Sequence, residues 1–92
     1  MLYPYDPETI VIEWGKCPEH ISEGLKNYVL KHINTGGFLH AVLTNDLFGA
    51  MSRADETNKA DLPDIIRFIH NELPTICYGT QEKYIAWLSR RD

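Results

Sequence analysis

Reactive side chains are few in this chain, and the densest polar group lies in and around "NDLFGAMSRADE", residues 45–56. His40 stands just before it and Asn58 just after. Asp46 and Arg53 fall two helical turns apart on one face. His40, Asn45, Asp46, Arg53, Asp55 and Asn58 are therefore a candidate polar binding patch where two helices meet. The same residue types also start and stop helices. Asn and Asp side chains accept the free amides of a helix N-terminus, each cap contributing about 1 kcal/mol. A cation such as Arg53 suits the carbonyl end. Capping is the first reading of this stretch, and a recognition patch is the second.

Catalytic constellations are weaker. His20, His32, His40 and His70 show no HxxxH spacing and no joint cluster with cysteine. A zinc site needs three or four converging ligands, so no metal is expected. Cys17 and Cys77 belong to no CxxC pair and read as reduced, structural thiols. A Cys77–His nucleophile would rest on two residue types alone. "TGGF" lacks the length and the lysine of a phosphate loop. The carboxylate pairs Asp55–Glu56 and Asp61–Asp64 sit where acids favour a helix start. The chain reads as non-enzymatic, with no catalytic residue and no cofactor.

Aromatic residues are a second candidate set: Tyr3, Tyr5, Trp14, Tyr78, Tyr84 and Trp87, clustered towards the two ends of the chain. They fit an N-terminal arm packed on the last helix, aromatic against aromatic. They also fit an exposed patch of the composition found at interface centres.

The elements that must position these residues follow from composition and periodicity. Ninety-two residues, 43% hydrophobic and 24% charged, make one domain able to bury about 60–65% of its unfolded surface. The net charge of −4 disfavours nucleic acid and anionic membrane, which select a concentrated basic face. No apolar run approaches the ~20 residues of a membrane span. The N-terminus also lacks the basic start of a signal peptide. A cytoplasmic location is expected.

Residues 1–17, with Pro4, Pro7 and the β-branched "TIVIEW" (9–14), predict an extended arm or short strand. A lone strand must lie across the helices or pair with a second copy, so a homodimer through this arm is one expectation. Residues 18–92 predict a single all-α domain, a compact bundle of four to five short helices. Ile21, Leu25, Tyr28, Val29 and His32 or Ile33 form the stripe of a first helix, which "NTGG" ends. From Phe38 onward apolar residues occupy more than one face, which predicts a helix at the centre of the bundle, bent at Asn45–Asp46. A third helix covers roughly 56–73. It begins either at Asp55 or Glu56 with Pro63 inside, or at Asp61 with Pro63 in its first turn; the longer version is preferred. Thr80 is a fitting cap for a last helix, 81–90, with Tyr84, Ile85 and Leu88 facing inward.

Motif order adds one further reading. Gly37-Phe38-Leu39, Ala41-Val42-Leu43, Asn45-Asp46-Leu47, Arg53-Ala54-Asp55 with Asn58, then Asn71 with Pro74, precede Cys77 with Gly79, Glu82-Lys83 and Ala86-Trp87-Leu88. This order resembles a family of very small proteins encoded by bacteriophages and prophages. Tyr78 stands where that pattern has tryptophan, and Gly37 where it has a serine cap. The resemblance implies a phage setting inside a bacterial host, but it carries no assigned activity and transfers no residue role. The function expected is a non-enzymatic protein that binds a host protein, such as an inhibitor of a bacterial defence system. Acidic residues would suit a groove that normally holds nucleic acid. The alternative is a small-ligand binder, for a nucleotide signal, at a dimer interface.

Overall fold

The computed structural model describes residues 12–90. Five α-helices and two 3-10 turns account for its regular structure. The all-α class expected from the periodicity is the one observed, with no strand among the described residues.

α1 spans Glu19–Lys31 and buries Ile21, Leu25, Tyr28 and Val29, the stripe set by their spacing of three and four. It ends where His32 adopts a left-handed backbone, φ 56°, uncommon for a residue with a Cβ. The strain is offset locally: the His32 and Ile33 amides close onto the Tyr28 and Asn27 carbonyls. The His32 Nδ1–H also donates to the Trp87 carbonyl at 2.7 Å.

α2 spans Gly37–Leu43, α3 Leu47–Arg53, and α4 Glu56–Glu72. The break between α2 and α3 is made by Asn45, left-handed at φ 64°, and by Asp46. The Asp46 amide donates back to the Ala41 carbonyl at 2.8 Å. α4 is the longer of the two alternatives, starting after Asp55 and carrying Pro63 within it. Pro63 has no N–H to offer the Lys59 carbonyl one turn earlier, and it faces solvent. After a 3-10 turn at Thr75–Cys77, α5 runs Gln81–Leu88, capped by Thr80, whose hydroxyl accepts the Lys83 amide at 3.0 Å.

The core joins all five helices. Trp87, Tyr28, Leu25, Leu43, Ile65, Val29 and Cys77 are its largest fully buried side chains. Its polar atoms are satisfied internally. The Tyr28 hydroxyl donates to the Cys77 carbonyl at 2.6 Å, and the Trp87 indole N–H donates to the Tyr28 carbonyl at 2.9 Å. No helix among the described residues is long and apolar enough to cross a membrane.

Two expectations are corrected. Trp14, placed in an extended arm or short strand by its β-branched neighbours, lies instead in a 3-10 turn, Trp14–Lys16. Its ring rests on Phe68 of α4, centroids 5.5 Å apart, not on the last helix. Residues 1–11 of the arm, with Tyr3 and Tyr5, lie outside the described residues. The second correction concerns the apolar region from Phe38. α2 is central, with Phe38, Leu39, Ala41 and Leu43 buried, but α3 buries only Ala50 and sits on the outside.

Candidate functional site

α3 packs against α2 and is closed at both ends by side chains. Asp46 Oδ1 accepts the Gly49 amide at 3.0 Å, and Arg53 Nη1 donates to the Gly49 carbonyl at 3.3 Å. A Cβ at Gly49 would lie 2.7 Å from Asp46 Cγ and 2.9 Å from Arg53 Nη1, so a side chain there would displace both end groups. Asp55 likewise caps α4, accepting the Asn58 amide at 2.8 Å. The bracketing residues of "NDLFGAMSRADE" thus do act as helix punctuation.

Capped in this way, α3 turns Ala50 inward and its large apolar residues outward. Phe48 is 86% exposed and Leu47 59% exposed, and Met51 is exposed beside them. Ile66 on α4 is exposed as well. Leu47 and Ile66 both line a groove of about 310 Å³. Its walls also include Val42, Ala50, Leu62, Ile69 and Tyr78, with Asn45, Asp46 and His70 as polar members. Among the lining residues Asp46 carries the single formal charge. On α4, Lys59 pairs with Glu56 at 3.6 Å and Arg67 with Asp64 at 2.8 Å.

The six residues of the expected polar patch do not converge as one group. His40, Asp46 and Arg53 share a second, polar hollow of about 240 Å³ with Gly37, Ala41, Thr44 and Gln81. His40 is held there by two contacts. Its ring stacks on Tyr84, centroids 4.4 Å apart and 5° from parallel, and its Nε2 lies 2.9 Å from Gln81 Oε1. Asn45 turns to the apolar groove instead. Asp55 and Asn58 lie at the start of α4, where Asn58 Oδ1 is 2.6 Å from His20 Nε2. A larger hollow of about 470 Å³ lies along another face of α4, by Lys16, Cys17, Asp61 and Arg67. Of its charged groups, Asp61 meets His20, Arg67 pairs with Asp64, and Glu72 accepts the Glu13 amide.

The aromatic set is redistributed too. Tyr84 and Trp87 are 3% and 1% exposed, so neither belongs to a surface patch. Tyr84 stacks on Tyr28 at 5.0 Å, and its hydroxyl accepts the Thr35 amide at 3.0 Å. Trp14 and Tyr78 are half-buried. Desolvation pushes the Cys77 thiol up to about 12 and the Cys17 thiol up to about 11, so both are neutral thiols and poor nucleophiles at neutral pH. Burial raises Tyr28 in the same way. Among the described residues no group of three or more His, Cys, Asp or Glu side chains is placed to hold a metal ion.

Leu47, Phe48 and Met51, in the apolar stretch from Phe38 that was expected at the centre of the bundle, lie on the surface instead. The signal was present but brief. Residues 47, 48 and 51 share one side of a helix, with the small Ala50 on the other, across only two turns. No family model matches the chain, and comparison with curated proteins and with solved structures gives no match.

Proposed function

We propose that this chain is a non-enzymatic protein-binding module that works through the α3–α4 face. The observation that carries this reading is Phe48, a phenyl ring presented to water on the same short helix as exposed Leu47 and Met51, with Leu47 also lining an apolar groove together with Ile66. Clustered exposed apolar side chains of this kind mark interaction sites, whereas single ones are ordinary. Buried, neutral thiols, and the engagement of His20, His32 and His40 in structural contacts, fit a protein that acts by presenting a surface. The phage-like order of motifs supports a host bacterial protein as the partner, met in the cytoplasm, with inhibition of a defence system as the outcome.

The test compares immobilised wild type with Phe48→Ser against a bacterial lysate. A protein retained by the wild type and lost by the variant supports the reading. Identical retention profiles for the two would overturn it. A second reading, a small-ligand binder, is supported by the meeting of His40, Asp46, Arg53 and Gln81 around one polar hollow. Its test is a thermal-shift screen with mononucleotides and cyclic dinucleotides, repeated on Arg53→Ala.

A further inference from the structure

We infer that the polar hollow beside α2 and α3 binds a free α-amino acid with a polar side chain, its carboxylate set against Arg53 and its ammonium group against Asp46. This rests on the second reading above, a small-ligand site, and names the class of its ligand. The hollow measures about 240 Å³, under the roughly 300–1,000 Å³ of sites that take drug-sized molecules. It suits a ligand of amino-acid size.

Charge decides the class. Asp46 and Arg53 bring opposite charges to the hollow, and both are tethered to Gly49. Asp46 Oδ1 accepts its amide and Arg53 Nη1 donates to its carbonyl. The two ends stand close together, since a single Cβ on Gly49 would approach both of them. Arg53 is confined further where its stem passes Gly37, at 3.1 Å from the place of a Cβ. Among the described residues neither charge is taken up in an ion pair. The carboxylate keeps its second oxygen, and the guanidinium its remaining N–H groups, for a ligand. A simple anion would be repelled by Asp46 and a simple cation by Arg53. An α-amino acid carries both opposite charges on one carbon.

His40 and Gln81 select the side chain. The His40 ring is held by stacking on Tyr84 and lies 2.9 Å from Gln81 Oε1 through its Nε2. The Gln81 amide N–H groups remain to donate. These polar members favour serine or glutamine over a large apolar amino acid.

The probes are L-serine and L-glutamine, each with its deaminated acid and its carboxamide, titrated into the full chain by isothermal calorimetry. Loss of either ligand charge is expected to weaken binding about fivefold, the size of an exposed charge contact. Asp46→Asn, which keeps a capping side chain, is expected to abolish the preference for the ammonium group and keep that for the carboxylate. Arg53→Gln is expected to do the converse.

Equal affinity for the amino acids and their singly charged analogues overturns the charge assignment. Unchanged preferences in both variants place the ligand elsewhere and overturn the site. If neither amino acid binds while a nucleotide stabilises the chain in the thermal-shift screen, this inference fails and the small-ligand reading stands. If neither class binds, both fail.

Discussion

Cys77 takes part in the core through two groups of opposite behaviour. Its carbonyl accepts the Tyr28 hydroxyl, and its thiol is fully buried. Deleting that hydroxyl in Tyr28→Phe leaves a buried carbonyl short of its donor, expected to cost about 1–2 kcal/mol in urea unfolding. The thiols give a pH signature. Burial raises Cys77 from 9.0 to about 12 and Cys17 from 9.0 to about 11. In the unfolded chain both protons leave near pH 9, while the folded chain keeps them. The folded state therefore binds more protons, and stability falls as pH rises. The contribution is complete below pH 9 and is lost through about 11 for Cys17 and 12 for Cys77. Urea midpoints are expected to drop between pH 9 and 11, and less steeply in Cys77→Ala. A flat profile would show that the thiols titrate as they do in water.

At the scale of single helices, α3 separates local stability from surface. Its caps are structural, so Asp46→Ala and Asp55→Ala are each expected to cost about 1 kcal/mol, read as lowered denaturation midpoints. Gly49→Ala is expected to destabilise despite alanine's better helix propensity, because its Cβ would strike the Asp46 carboxylate. Phe48→Ser, by contrast, is expected to leave stability within about 0.5 kcal/mol of wild type. These residues also show how far the chain could be read in advance. Asp46, Asp55 and Thr80 announced their helix starts because capping is a local interaction. The stripe of α1 was legible because it recurs over a helix of 13 residues. The outward face of α3 was not. Seven residues hold too few turns for a pattern to say which side meets the core, and α2 had already filled the centre. The contact that anchors the left-handed His32 was equally hidden, because its ring meets the Trp87 carbonyl, 55 positions away.

Across the whole molecule, cohesion is unevenly shared. α1, α4 and α5 contribute most of the fully buried side chains, with Leu43 from α2, while α3 contributes Ala50. Trp87→Ala removes a ring at 1% exposure and leaves the Tyr28 carbonyl without its indole donor. A loss of about 3–5 kcal/mol is expected, a large part of the total stability of a domain this small. Calorimetry would show the transition lowered or absent for Trp87→Ala and unchanged for Phe48→Ser. The candidate sites were only half legible for the same reason. Spacing could list His40, Asp46 and Arg53, but the packing of α5 against α2 decided that Gln81 would join them and that Asn58 would not.

The column of rings Tyr28, Tyr84 and His40 runs from the deepest layer of the protein to the rim of the polar hollow. Flat against a neighbouring phenol, the imidazole protons of His40 lie in its shielding cone, and their NMR resonances are displaced upfield. A molecule entering the hollow, or any loosening of α5 from its seat, would alter that shielding. The protein thus carries its own magnetic gauge, readable without a label.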